Sequence, residues 1–409
     1  MEGIVKCCAG IDIHRKMLVC TVLKEKSDGK LQKTTREYST FHKDLVELSR
    51  WLRSEKVEVV SMESTGIYWK AVYEALEDEG IETYVVNARH IKNVPGRKTD
   101  VKDSEWLAEL VRCGLLRASF IPPRDLRELR MLTRYRWKLK GCLSGEKNRL
   151  HKILDDCGIK LGCVVSDIDG VSAKRMIDAL IENKMSPDEI AQLALGRLRK
   201  KEKDVRLSLD GRISNRHRFL LQKIKKHICW LEDEIKELDG QIVAAMVPYK
   251  EEWMLLQTTP GINRISAAML LAEIGTNMSR FVNQNSLCSW AGMCPGNNNS
   301  AGKRKSGRTR KGNRYVRQIL CEAANSARKT NSQFKGFYKG LVIRRGHQRS
   351  IVAVGHKLLK TIYIFLERKV PYKDKNIDYE ELVVEKNAPR WIKALEKFGY
   401  LEKLKNSEL

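Results

Sequence analysis

Residues 6–24 read KCCAGIDIHRKMLVCTVLK, two apolar runs on either side of the polar triplet His14-Arg15-Lys16. Short apolar runs broken by a polar turn predict a pair of β-strands. KTTREYST at 33–40 predicts a third strand, and then the period changes. FHKDLVELSRWLRSEK at 41–56 carries Leu45, Leu48 and Leu52 at helical spacing, and VEVVSMEST at 57–65 is a buried-type strand. A helix from Tyr68 to about Glu79 is closed by Gly80, and IETYVVNA is a further strand. Three strands followed by alternating helix and strand predict an α/β domain on a mixed sheet.

One segment of that domain asks for more than a fold. KTDVKDSEWLAEL, residues 98–110, sets Asp100 and Asp103 ahead of a helical pattern of Trp106, Leu107, Leu110 and Val111 that ends at Gly114. One aspartate serves as an N-cap; the second needs another reason. Two further acids stand where acids are depleted, Asp12 inside AGIDIHRK and Glu63 at the end of VEVVSMEST. Buried, each needs a partner, and four converging carboxylates repel unless cations lie among them. Hard oxygen donors suit Mg²⁺ or Mn²⁺ rather than zinc. Such ions stabilise the attacking and leaving oxygens of a phosphodiester displacement. Residues three apart share a helix face, so Asp100 and Asp103 can project together toward Asp12 and Glu63, leaving Lys98 and Lys102 for substrate phosphates. Taken singly, Asp103 could be a cap, Glu63 a lysine partner and Asp12 a solvated edge residue; taken together with fold order and charge, the metal reading is the better one. The arrangement resembles the RNase H-like nuclease fold of the Holliday-junction resolvase type, in which a first-strand Asp, a later-strand Glu and helix-borne Asps hold metal.

Composition narrows the partner. The 409 residues allow two or three domains, and the 42% hydrophobic content is that of an ordinary globular chain. No apolar run reaches membrane-spanning length and the N-terminus has no signal-peptide pattern, so a cytoplasmic protein with no membrane partner is expected. Eleven scattered cysteines without a CxxC pair read as reduced core residues. Lys and Arg number 77 against 51 Asp and Glu, a net charge of +26. That excess points to a polyanion, nucleic acid rather than membrane.

Beyond the first domain (1–124), the reading becomes helical. Residues 125–155 are helical and basic, and 215–247 carry Leu220, Leu221, Ile224, Ile228, Leu231, Ile235, Leu238 and Ile242 near heptad spacing. This predicts a helical hairpin or coiled-coil arm over 125–250, interrupted by an insertion at 151–215. A mainly α domain follows at 251–370, then a tail, 371–409, in which APRWIKALEKFGYLEKL predicts one amphipathic helix. LLQTTPGINRISAAMLLAEIG opens the third domain as a helix-hairpin-helix-like turn, where backbone N–H groups around Gly261 could hold a phosphate, or as an ordinary αα-hairpin.

NNNSAGKRKSGRTRKGNRYVRQIL, residues 297–320, is the second constellation. Ser300 precedes Lys303, Arg304, Lys305, Arg308, Arg310, Lys311, Arg314 and Arg317, and a helix is predicted to start near Asn313. Basic residues on a glycine-punctuated loop suit DNA phosphates, and a serine among cations suits a nucleophile because positive charge stabilises its alkoxide.

With both constellations in view, the chain resembles the DEDD transposases of bacterial insertion sequences, also described as bridge-RNA-guided serine recombinases. GIDIHR, ESTGIYW and KTDVKDSEWLAEL resemble the family's N-terminal motifs; TPGI…AAMLLAEIG, WAGMCPG and NSAGKRKSGRTRKGNRYVR resemble its C-terminal transposase domain. The resemblance implies that Asp12, Glu63, Asp100 and Asp103 form a metal-holding tetrad for Mg²⁺ or Mn²⁺ and that Ser300 is the nucleophile. It further implies donor and target DNA, a structured noncoding guide RNA, and a homodimer or homotetramer in which acid and serine sites of different subunits combine. The alternatives are a resolvase-like nuclease acting by water attack and a non-catalytic nucleic-acid scaffold. Tyr315, among many arginines, and RRGHQR at 344–349 are rival sources of chemistry ranked below Ser300.

Overall fold

Strands β1 (Cys7–Ile13) and β2 (Met17–Glu25) form the antiparallel hairpin that the opening stretch predicts, with Asp12 opposite Val19. The backbone N–H of His14 donates to the Met17 carbonyl (2.9 Å) and closes the turn. β3 (Leu31–Ser39) adds antiparallel to β2. Helix α1 (His42–Ser54) leads to β4 (Val59–Glu63), which lies parallel to β1, and α2 (Trp69–Asp78) leads to β5 (Glu82–Val86), parallel to β4. The mixed sheet has the order β3-β2-β1-β4-β5. Its β3 edge is almost wholly exposed and polar, which blunts pairing with other chains.

The computed structural model describes residues 4–64, 66–87, 91, 103–296, 298–300, 303–309, 311–374 and 379–400, with only the backbone at 298–300, 303–306, 379–383 and 386. They fall into two compact units, Met1–Ile121 and Pro122–Leu409. The first is α/β. Alternation along β1 sends Cys7, Ala9 and Ile11 to the face covered by Leu45, Leu48, Trp51 and Leu52 of α1 and by Val72 and Leu76 of α2. Cys8 goes to the other face, against Leu107, Ala108 and Val111 of α3 (Asp103–Arg112).

What lets α3 lie so close is the absence of a side chain at Gly10. A Cβ there would stand 2.1 Å from the Ser104 carbonyl oxygen, 2.4 Å from the Ala108 nitrogen and 2.9 Å from the Leu107 Cβ. Short polar links hold the contact. The Ser104 and Thr21 hydroxyls meet at 2.9 Å, the Ser61 hydroxyl donates to the Leu107 carbonyl (2.9 Å), and the Cys8 thiol donates to the Ala108 carbonyl (3.4 Å).

The second unit is helical. α4 (Arg124–Asp156) is followed by α5 (Leu161–Val164), α6 (Val171–Glu182), α7 (Pro187–Ala191) and α8 (Glu202–Ser208), then by the long α9 (Asn215–Ala244). α4 and α9 are antiparallel, since Arg136 pairs with Asp239, Lys147 with Glu232 (3.2 Å) and Asp156 with His217 (3.1 Å). Leu139, Leu143, Leu150 and Leu154 pack with Leu221, Ile228, Leu231 and Ile235. Of the heptad set Leu220 is exposed instead. The insertion is no loose excursion: Met176, Ile177, Ile190 and Val205 join the same core.

After it come α10 (Lys250–Gln257), α11 (Arg264–Ile274), α12 (Gln284–Trp290), the strands β6 (Asn298–Ser300) and β7 (Lys303–Ser306), α13 (Arg314–Ala327), α14 (Gln333–Arg345), α15 (His347–Arg368) and α16 (Tyr379–Lys397). α11 is buried all round from Ala267 to Ile274, so it is a central helix of this unit. α16 begins upstream of the expected amphipathic segment, carries Pro389 inside it and ends before Gly399. Among the described residues no helix is long and apolar enough to cross a membrane. The eleven cysteines are all free thiols, but Cys142, Cys163 and Cys229 are exposed, which corrects the expectation that they are core residues.

Gly10→Ala should lower the unfolding free energy by about 1–3 kcal/mol through overpacking, read from the urea midpoint, and Gly10→Val by more. An unchanged midpoint in both variants would mean that α3 does not depend on this contact.

Candidate active site

The register of β1 on β4 pairs Gly10 with Ser61 and Ile11 with Met62. One step further brings Asp12 beside Glu63, the last residue of β4. Side chains two apart on a strand point the same way, so Asp12 follows Gly10 and Glu63 follows Ser61 onto the face that α3 covers. α3 passes Ala108 over Cys8 and Ser104 over Gly10, so its N-terminal end, opened by Asp103, is directed toward the Asp12 end of β1. The two strand acids and the first residue of α3 thus lie toward the same end of the sheet. An exposed Asp at a helix start is also favoured by the positive end of the helix dipole.

The Asp12 Oδ2 is 3.1 Å from the His14 Nε2. The sequence marks His14 only as a turn residue just past the end of β1, and its side chain returns to the Asp12 carboxylate. Beside Asp103, Ser104 reaches Thr21 and Glu105 pairs with Lys33 (2.8 Å), which ties the start of α3 to β2 and β3. The remaining expected members, Asp100, Lys98 and Lys102, lie outside the described residues. Carboxylates on adjoining strand ends are the donor chemistry that Mg²⁺ or Mn²⁺ accepts. Among the described residues, however, no group of three His, Cys, Asp or Glu is arranged to hold a metal ion.

In the second unit the basic segment forms an antiparallel hairpin, Ser300 opposite Lys303, with residues 301 and 302 between them. Its stem is continued by a hydrogen bond from the Gly296 N–H to the Arg308 carbonyl (2.9 Å) and by a Pro295–Thr309 bridge. Arg308, Lys311 and Arg314 are exposed, and Arg317 donates to the Thr309 hydroxyl (2.7 Å). Side chains of Ser300, Lys303, Arg304 and Lys305, and the whole of Arg310, lie outside the described residues.

The hairpin's exit is anchored by a carboxylate that sequence reading passed over. Glu273 is 1% exposed within the apolar α11. Arg134 grips it with two bonds (2.7 and 3.0 Å), and the Arg130 Nε lies 3.2 Å from its Oε2. Arg130 also donates to the carbonyls of Ala272 (3.1 Å) and Glu273 (2.7 Å). Burial pushes its guanidinium down to about 10 against the opposing pull of Glu273. The third partner is Asn313, whose Nδ2 donates to the Glu273 Oε2 (2.6 Å) while its Oδ1 accepts from the N–H groups of Tyr315 (3.0 Å) and Val316 (3.2 Å). Asn313 is therefore both the N-cap of α13, as its predicted start requires, and the link to the buried acid. A single acid in an apolar run, the signal used for Asp12, would also have singled out Glu273 in AAMLLAEIG.

Tyr315, the rival nucleophile, belongs to this cluster. Its ring lies 4.4 Å from the Arg134 guanidinium, meets Trp137 edge-on at 5.4 Å, and its hydroxyl accepts from Arg314 (3.0 Å). His347 of RRGHQR is held by the Tyr338 hydroxyl (2.8 Å). Gly261 has φ +85° and fits against α13, where a Cβ would meet the Ala323 carbonyl oxygen at 2.2 Å. Packing against α13 gives this glycine a structural reason, and the Asn263 side chain takes the N–H groups of Ile265 and Ser266 at the start of α11, as an ordinary αα-hairpin would have it.

Comparison with known proteins adds identity to this geometry. A family model for DEDD transposases of the IS110 type, described as "Transposase", matches residues 9–159. A second, described as "Transposase IS116/IS110/IS902 family", matches residues 254–339. The transposase for insertion sequence element IS1111A of Coxiella burnetii is 24% identical over 328 residues, covering 78% of this chain and 80% of that protein. Among solved structures, Thermus thermophilus RuvC aligns at 16% identity with a TM-score of 0.21, covering 28% of this chain and 99% of that one.

Glu273→Gln keeps the shape but removes the charge that two arginines face. Roughly 3–5 kcal/mol of stability should be lost, as when one partner of a buried ion pair is removed. Asn313→Ala should cost about 1 kcal/mol as a lost cap. Both are read from urea unfolding; a Glu273→Gln variant as stable as the parent would show the cluster to be surface-like in energy.

Proposed function

We infer that this chain, which belongs to the IS110 family of DEDD transposases, breaks and rejoins DNA through a serine–phosphate link. The family makes it an insertion-sequence transposase acting on DNA. The nucleophile, the metal and the RNA are our reading.

The observation that carries the reading is the hairpin. Ser300 is the last paired residue before its turn, and residues 298–320 contain eight Lys or Arg and no acid. Such surroundings favour the ionised serine hydroxyl and attract phosphate. The step forms a bond from the Ser300 oxygen to phosphorus and breaks the bond from phosphorus to one sugar oxygen. The serine proton leaves to solvent or a base, and the departing sugar oxygen takes one up. The phosphoserine ester conserves the bond, so a sugar hydroxyl of another strand can attack it, restore Ser300 and need no nucleotide cofactor. Lys303, Arg304, Lys305, Arg308, Arg310, Lys311, Arg314 and Arg317 would hold flanking phosphates.

Asp12, Glu63, Asp100 and Asp103 would hold a divalent cation, Mg²⁺ or Mn²⁺, which when bound offsets charge on the phosphate oxygens. The sheet order, with the parallel strands meeting at the Asp12–Glu63 edge, supports an RNase H-like catalytic domain at 1–124. The proposed plan continues with the 125–250 arm, the 251–370 transposase domain and the 371–409 tail. A structured guide RNA alongside donor and target DNA, and a homodimer or homotetramer, complete the reading; the +26 charge supports a polyanionic load of this size.

The test is a denaturing gel with labelled DNA under stalled exchange, followed by mass spectrometry of the linked peptide. The parent should give a denaturation-resistant adduct mapping to Ser300, and Ser300→Ala should bind DNA but give neither adduct nor recombinant. Asp12→Asn, or a chelator, should abolish cleavage and spare binding. Cleavage by Ser300→Ala without any adduct would hand the chemistry to water, and a label on Tyr315 would move the nucleophile.

A further inference from the structure

Helix α9 carries an exposed stripe opposite its core face. Leu221, Ile228, Leu231 and Ile235 turn inward, into the core that α4 and the insertion share. Arg216, Phe219, Lys223, Lys226 and Trp230 follow one another at steps of three and four residues, which on an α-helix is a single stripe on the side away from those four. All five are exposed, Phe219 by 57% and Trp230 by 51%. The stripe continues through Asp233, Glu234, Glu237 and Gln241, so one face is basic over its first half and acidic over its second. Charges elsewhere on α9 are engaged within the chain: Lys225 by Asp178, Glu232 by Lys147 and Asp239 by Arg136.

The order of the charges specifies the partner. A phosphate backbone suits a stripe of one sign, and Asp233, Glu234 and Glu237 would repel it. A helix of the same sequence running the opposite way matches the stripe. Turned end for end about Trp230, it sets Lys226 opposite Glu234, Lys223 opposite Glu237 and Phe219 opposite Gln241, at four, seven and eleven residues on either side. Each pairing then occurs twice, as a two-fold contact between identical surfaces requires. Aromatic side chains are enriched in the cores of such contacts, and here one lies on the axis. The Trp230 ring is already placed: it stacks on His227 at 5.7 Å, and the His227 Nδ1 meets Glu146 of α4 at 3.1 Å. Gly240 supplies an independent sign. Glycine is a poor residue for a helix interior, and a Cβ at this position would meet nothing within 4 Å among the described residues. The reversed helix lays Phe219 beside Gly240 and Gln241, where a missing side chain clears room for a ring.

We propose that α9 docks antiparallel on α9 of a second copy of this chain, centred on Trp230, with Lys223 and Lys226 of each copy facing Glu237, Glu234 and Asp233 of the other. The proposal rests on the reading that the chain self-associates, and it deepens that reading by naming a face that does so.

The test is sedimentation velocity on the full chain freed of nucleic acid, at concentrations where the parent is associated. Lys223→Glu with Lys226→Glu sets acid against acid across the contact and should halve the parent's mass. Glu234→Lys with Glu237→Lys sets base against base and should do the same. For each, the dissociation constant of this contact should rise by roughly 100-fold or more, the size of like charges juxtaposed at an interface. Mixed in equal amounts, the two variants should regain the parent's mass, because every pair across the contact is again opposite in sign. That rescue also separates the effect from misfolding. If both variants alone keep the parent's mass, this face is overturned while the oligomer stands. If they keep the mass and instead bind a labelled oligonucleotide more weakly, the face belongs to nucleic acid and the proposal falls. A parent that stays monomeric at every concentration would remove the underlying reading of an oligomer, and this contact with it.

Discussion

The second unit is organised around a charge that ought not to be inside it. Glu273 sits in a helix buried on every side, where an unpaired carboxylate would cost several kcal/mol. It is tolerated because two guanidiniums and one amide meet it, and these come from two other helices. Arg130 and Arg134 belong to α4, Asn313 to the start of α13. The bidentate geometry of Arg134 fixes direction as well as distance, so the acid sets where α13 begins relative to α11 and α4. Because the basic hairpin runs straight into that N-cap, its base is held even though its strands are short. On the proposed reading, in which the hairpin carries the nucleophile, a fixed exit would help to offer it within a fraction of an ångström.

In the first unit the corresponding constraint is an empty position. Gly10 lets α3 approach the sheet until helix backbone meets strand backbone, and the hydroxyls of Thr21, Ser61 and Ser104 satisfy each other and the helix carbonyls at that contact. The helix cannot slide along β1 without losing these links, so the position of Asp103 relative to Asp12 follows from packing rather than from any attraction between acids. Like charges brought together need such an external cause, since they repel without a bound cation.

The elements themselves were legible because they follow from periodicity. The strand pair around His14-Arg15-Lys16, the helices closed by Gly80 and Gly114, and the start of α13 at Asn313 lie where alternation, helical spacing and capping chemistry put them. Asp12 and Glu63 were legible as acids in strands, and on adjacent strands they follow the paired residues Ile11 and Met62. Contacts between distant segments were not. Nothing local to Glu273 names Arg134, 139 residues away, and nothing local to Gly10 names Ser104. Gly261 is a further case. A glycine after proline at a helix start has a local signature that fits phosphate binding or an ordinary turn; the close approach of α13 is a separate reason for glycine there, and only the fold supplies it. The glycine-punctuated loop expected around Ser300 is a short hairpin over its described residues, Asn298–Ser300 paired with Lys303–Ser306, a pairing that no periodicity in the sequence announces.

The distribution of acids, more than that of bases, shapes the field of the second unit. Along α4, α6 and α9 cations are matched: Arg136 by Asp239, Lys147 by Asp169 and Glu232, Lys174 by Asp169 (2.9 Å). Asp169 is accordingly favoured as the anion by its lysines, even against the cost of partial burial. Such pairs cancel at a distance of a few ångströms and leave little field beyond a Debye length of about 8 Å at physiological salt. Residues 298–320, by contrast, carry eight Lys or Arg and no Asp or Glu in the sequence. Such a run of cations is the kind of surface that steers an approaching polyanion. In the proposed reading these cations surround Ser300, so binding of the strand and activation of the nucleophile would draw on one electrostatic source, and a substitution that adds an acid there would weaken both together.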